Sequence, residues 1–157
     1  MSSRDGSLFE AVRGAAGVER LAHAWHARVL ADEVVSHAFS HGFHPKHTER
    51  LAAYWSEAWG GPPMFSDKLG SESSVVRMHS GNGPHEEMDA RAIACFEQAL
   101  DDIGLARDGN LWRVLRDYFA WATTVTMARY HGSKNDVPQG LTIPRWSWLG
   151  LETKRRE

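Results

Sequence analysis

The run Gly60-Gly61-Pro62-Pro63 constrains this chain more than any other feature. Two prolines without backbone N–H groups, placed after two flexible glycines, stop any helix that reaches them. The run divides the sequence into two halves of similar character. Upstream, after Gly17, Leu21, Trp25 and Val29 repeat at helical spacing, with Ala22, His26 and Leu30 beside them. A second helix fits Pro45 to Trp59, with Pro45 tolerated in its first turn. Downstream, a third helix is predicted from about Pro84 to Ile103, with Ala92, Phe96, Ala99 and Ile103 on one face and Gly104 as its stop. A fourth, about Gly109 to Tyr130, carries the stripe Leu111, Val114, Leu115, Tyr118, Ala122 and Val125. Residues 60–84 are too rich in Gly, Ser and Pro for a long helix, and a short helical turn is expected around Val75–His79. Strand-type alternation is almost absent. The expected fold is all-α: a helix pair, a long irregular connection and a second pair.

At 157 residues the chain has enough length for one domain with a substantial core. Residues 1–131 form that domain in this reading, and 132–157 are an extended tail packing on it through Trp146 and Trp148. A formal charge of −2 gives no reason to expect a nucleic-acid or anionic-membrane partner. No apolar run approaches the roughly 18 residues of a membrane span. Met1-Ser2-Ser3-Arg4-Asp5 lacks the pattern of a signal peptide, and the single Cys95 has no internal disulfide partner. The expected location is therefore cytoplasmic. Nine histidines and seven tryptophans are the unusual entries. The tryptophans suit a core; the histidines call for inspection one by one, since imidazole serves both as metal ligand and as acid–base group.

The usual zinc patterns HExxH and CxxC are missing. The densest cluster, His41-Gly42-Phe43-His44-Pro45-Lys46-His47, has spacing compatible with a divalent metal. It is equally compatible with a solvated corner from which one histidine turns inward. On the helix that follows, His47, Leu51 and Trp55 share a face at i, i+4 and i+8, flanked by Arg50 and Tyr54. One imidazole above Leu and Trp suits an apolar ligand cavity with one convergent polar group. His26 lies on the inward side of its own helix. His79 ends Val75-Val76-Arg77-Met78 and is followed by flexible residues, so it can swing beneath a planar cofactor.

Several segments together resemble the group II truncated hemoglobins over roughly residues 8–130. They are Leu8-Phe9-Glu10-Ala11-Val12 with Gly14 and Gly17, Arg28-Val29-Leu30-Ala31-Asp32, Glu49-Arg50-Leu51, Trp59-Gly60-Gly61-Pro62, Phe65-Ser66 and Arg77-Met78-His79. The resemblance implies a truncated-globin fold, a two-over-two helical sandwich around heme b, here with a C-terminal extension. It makes His79 the proximal iron ligand, the one obligatory metal ligand from the chain. His47 falls at the distal position, Leu51 on the cavity wall, Phe39 at an aromatic position against the heme and Arg50 near a propionate. Arg77 is the other cation suited to the propionates, and Trp55 extends the cavity wall. The sequence departs from the family pattern at three sites. His26 stands where a tyrosine is usual, Phe65 replaces another, and Asp89-Ala90-Arg91-Ala92 lacks the tryptophan of the third long helix.

The expected activity is binding of a small diatomic ligand or peroxide at the iron. His26 and His47 form a distal pair able to carry peroxidase-like or other redox chemistry. A reductase and a second copy of the chain are the candidate protein partners. Two other classes compete: a non-heme metal protein built on His41–His47, and a helical interaction module whose histidines are incidental. A Soret band in the purified protein separates the first from both.

Overall fold

The structure is a computed structural model that describes residues 6–40, 42, 44–81 and 85–152. Its first element, α1 (Leu8–Ala11), is held by a reciprocal cap. Ser7 Oγ accepts from the Glu10 N–H at 3.0 Å, and the Glu10 carboxylate accepts from the Ser7 N–H at 3.1 Å. The chain then turns sharply through Arg13 (φ 80°) and Gly14 (φ 67°) into α2 (Gly14–Ala31). Gly17 makes this corner feasible, because a Cβ there would stand 1.7 Å from the Val12 carbonyl oxygen. The glycines at 14 and 17 thus have separate reasons, a left-handed backbone and a close approach.

After a 3-10 turn (Val35–Phe39), α3 runs over His47–Ala58. Trp59 caps it, and Gly60 (φ 95°) takes the chain out of the helix as the Gly-Gly-Pro-Pro run demands. Between Pro63 and Gly70 the chain makes a π-helical turn (Phe65–Leu69). Helix α4 (Glu72–Met78) starts earlier than the apolar pattern suggested. The reason is a second reciprocal cap, in which Ser71 and Ser74 each accept from the other's N–H at 3.1 Å. Helix α5 (Glu86–Asp102) and helix α6 (Asn110–Trp121) follow. The fourth long helix therefore ends well before Tyr130 and passes into a π-helical turn, Ala122–Thr126. Four successive residues, Thr123 to Thr126, are β-branched, and Thr124 Oγ1 bonds back to the Ala120 carbonyl at 2.7 Å; both disfavour regular α-helix.

The core forms where α2 packs on α3 and α5, and α5 on α6. Leu8, Val18, Leu21, Val29, Trp59 and Phe96 are fully buried. At its centre Trp55 stacks on Trp59 and meets Trp25, Phe96 and Phe119 edge-on. No helix among the described residues is long and apolar enough to cross a membrane.

The tail is bound to the helices at several places. Its only paired strands among the described residues are β1 (Trp146–Ser147) and β2 (Gly150–Leu151). Trp148 Nε1 donates to the Gly6 carbonyl at 3.0 Å, while Val137, Ile143 and Trp146 are buried. Ser73, itself buried in α4, donates to the Pro138 carbonyl at 2.8 Å and accepts from the Leu141 N–H at 3.0 Å. Ser73→Ala leaves both tail groups without their partner and should destabilise the fold by about 1–3 kcal/mol. Denaturant unfolding measures this; an unchanged midpoint would mean the tail is held without Ser73.

Candidate functional site

Helix α4 carries His79 as its C-terminal cap. The ring Nδ1–H donates to the Val75 carbonyl, one turn back, at 2.8 Å. That bond selects the tautomer in which Nε2 carries a lone pair, the form a metal binds. Enough protein surrounds the ring for desolvation to lower its pKa, so it is neutral at neutral pH. The residue is nevertheless exposed at the end of α4, so the ring is accessible.

A second imidazole cluster is built from α2 and α3. His26 projects from α2 and is buried; His47 projects from the first turn of α3. Their Nδ1 atoms lie 2.9 Å apart, and the rings meet edge to face with centroids at 4.7 Å. Phe39, from the 3-10 turn, stacks on His26 at 5.5 Å and meets His47 edge-on at 5.1 Å. Burial lowers the His47 pKa to about 4, helped by repulsion from any charge on His26, His79 and His44. Burial also lowers His26, with His23 adding to the shift. Two neutral imidazoles can share one Nδ1–Nδ1 hydrogen bond only if their tautomers differ. One ring therefore carries its proton on Nε2 and the other a lone pair there.

Of the other sequence-selected residues, Leu51 lies partly buried against the core, one turn after His47. Trp55, another turn on, is buried in the aromatic centre. Arg50 donates to the Leu69 carbonyl at 3.0 Å and lies 5.7 Å from the Phe65 ring centroid, bracing the π-helical turn. Arg77 reaches the tail at the Val137 carbonyl, 3.5 Å away. In the His41–His47 segment, His44 Nδ1 accepts from the Lys46 N–H, while His41 lies outside the described residues. No group of three or more His, Cys, Asp or Glu among the described residues is arranged to hold a metal ion. His85, the alternative to His79 as ligand, sits at the start of α5 with Nδ1 2.9 Å from Asp89.

The sequence profile described as "Bacterial-like globin" matches residues 7–121. The chain belongs to that family. No curated protein matches this globin's sequence. Among solved structures it is similar to a group II truncated hemoglobin from Bacillus anthracis, at 20% identity and TM-score 0.67, covering 80% of this chain and 92% of that one. A thermostable hemoglobin from the actinobacterium Thermobifida fusca is 26% identical, with TM-score 0.64 over 78% of this chain and 97% of that one. A truncated oxygen-avid haemoglobin from Bacillus subtilis gives 17% identity and TM-score 0.64, over 76% and 97% of the two chains. The fold is that of the truncated globins, and the family is one of heme-binding globins that take small diatomic ligands.

The residues of this globin fit a heme. His79 offers a neutral ring with its Nε2 lone pair selected by the Val75 bond. The imidazole pair and Phe39 are uncharged and largely apolar in character.

One buried acid escaped the sequence reading. Glu72, the first residue of α4, is 3% exposed and accepts from the Tyr54 hydroxyl at 2.6 Å, while its Oε2 has no partner among the described residues. Burial raises its pKa to about 7. The signal was present, since Glu72 shares a helical face with Val75 and Val76.

Proposed function

We propose that this globin holds heme b through His79 and acts on a small diatomic ligand or on peroxide beneath the paired imidazoles of His26 and His47. The observation that carries the reading is the 2.9 Å Nδ1–Nδ1 approach of two histidines from separate helices, both with pKa values lowered by burial. Heme, when bound, would supply an iron able to take a small ligand. His79 Nε2 would hold that iron, the ring being fixed by the Val75 carbonyl. Phe39 and Leu51 give the cavity apolar walls that exclude water. The N–H groups that Arg50 and Arg77 do not spend on Leu69 and Val137 are available to the propionates.

The imidazole pair has two uses. Its single Nε2–H donates to an incoming polar ligand and slows its escape. Its Nε2 lone pair accepts a proton from peroxide, and the hydrogen-bonded Nδ1 atoms let the two rings exchange donor and acceptor roles. Leucine at either position removes one partner and frees the other to rotate. His47→Leu and His26→Leu should each speed oxygen dissociation about tenfold, the value of one good hydrogen bond. Peroxide consumption should fall about 100-fold, as for loss of a general base. Stopped-flow oxygen release and peroxide turnover test this directly. Wild-type rates in both variants would show that neither ring reaches the ligand.

A further inference from the structure

One surface cleft lies apart from the histidines. It has a volume of about 350 Å³ and is lined by Arg113, Asp117, Trp146, Trp148 and Leu149, among others. That size suits a small organic ligand, for which sites begin at about 300 Å³. Its floor is not isolated from the core. Trp146 lies 5.7 Å from Tyr118, centroid to centroid; Tyr118 is 5.5 Å from Trp59, and Trp59 stacks on Trp55 at 5.6 Å. Trp55 stands on the His47 face of α3, two turns from that histidine.

We propose that the cleft docks a small aromatic reductant, a phenol or arylamine, and that the rings of Trp146, Tyr118, Trp59 and Trp55 carry its electrons to the heme side. The inference rests on the heme reading above. Electron tunnelling falls off exponentially with distance, so oxidisable rings in near contact replace one long transfer by several short ones. The environment of each ring favours passage over trapping. An oxidised indole is trapped when its N–H proton leaves, yet Trp59 Nε1 and Trp146 Nε1 are buried with no acceptor among the described residues. Tyr118 is 2% exposed and stands between the two indoles, within 6 Å of each, as a bridge. Tyr54 is the contrast, with Glu72 placed 2.6 Å away to accept its proton. It lies off the chain, as a competing trap.

At the cleft, the half-buried Trp148 ring offers a face for stacking over the Trp146 floor, and Asp117 offers a carboxylate to a phenolic or ammonium hydrogen. Each of two donor molecules gives up one electron through the rings and one proton through Asp117 to solvent, leaving an aryloxyl radical from a phenol or an arylaminyl radical from an arylamine. At the heme side, hydrogen peroxide takes two electrons and two protons; its O–O bond breaks and two waters form. The protons enter through the His26–His47 pair.

The test uses the heme-loaded full chain with hydrogen peroxide and a spin trap, the adducts being located by mass spectrometry. We expect adducts at Trp146 and its neighbour Trp121, lost in Trp59→Phe, and suppressed in the parent protein by added phenol. As a variant that leaves the core alone, Leu149→Cys carries a bulky maleimide at a position 94% exposed on the cleft rim. It should raise the KM for phenol while keeping the Trp146 adduct. Adducts confined to Tyr54, adducts unchanged in Trp59→Phe, or an unchanged KM in the blocked protein would each overturn the proposal. Failure of the heme reading is recognised separately, by the absence of a Soret band before peroxide is added.

Discussion

His79→Ala should lose tight heme binding. The Nδ1–H···O=C bond to Val75 at 2.8 Å holds the imidazole in one tautomer and one orientation, so with His79 as the proposed ligand the iron bond would depend on this ring and on α4. Loss of a supporting contact around a metal ligand already costs roughly 10–100-fold in affinity, and loss of the ligand itself should exceed about 100-fold. Transfer of heme to a scavenging apoprotein measures the change. Free imidazole should restore the axial bond and its ferrous iron–imidazole vibration, because the alanine leaves space for it. An unchanged vibration without added imidazole would move the ligand to another residue. His85 is the one to examine, although its Nδ1 is engaged with Asp89.

The second large effect concerns Glu72. Its carboxyl is buried, has a folded-state pKa of about 7 against an ordinary 4.5, and bonds Tyr54 through one oxygen only. Between pH 4.5 and 7 the folded chain binds a proton here that the unfolded chain does not. Stability from this group is thus fully present below pH 4.5 and is lost as pH rises through 7. The loss amounts to about 3 kcal/mol. Glu72→Gln keeps the shape and an oxygen for the Tyr54 hydroxyl but cannot ionise. The change in unfolding free energy from pH 4.5 to pH 8 should differ by about 3 kcal/mol between the variant and the parent, the variant gaining stability relative to the parent as pH rises. His47 has the opposite sign, since its folded pKa is lowered from 6.5 to about 4. Its stability is present above pH 6.5 and is lost as pH falls toward 4, so the two groups offset each other over much of the acidic range. Glu72→Gln should therefore unmask a fall in stability below pH 6.5 that the parent conceals. Urea titrations over a pH series check both slopes; parallel curves for the two proteins would mean that Glu72 is ionised or solvated in the fold.

Local signals carried most of what the sequence by itself determined. Helical spacing set the long helices, and Gly60-Gly61-Pro62-Pro63 ended α3 where expected, because backbone hydrogen bonding and φ limits act within a few residues. The same locality marked His47, Leu51 and Trp55 as one face, and His26 and His79 as histidines in apolar company. It misjudged the end of α6, where a run of β-branched residues outweighed an unbroken apolar stripe.

Only the tertiary structure decided which of these residues meet. The Nδ1 atoms of His26 and His47 are 2.9 Å apart across 21 residues of sequence. That approach selects the tautomers, which no helix pattern contains. Arg50 spends a donor on Leu69, Arg77 on Val137, and Trp55 lies in a five-ring core as well as on the histidine face. Ser73 reads as an ordinary helix serine until the tail, 65 residues later, closes on it. Propensity is set by each residue's own neighbours in the chain, whereas desolvation, tautomer choice and ring-to-ring distance depend on which distant segments fold against them.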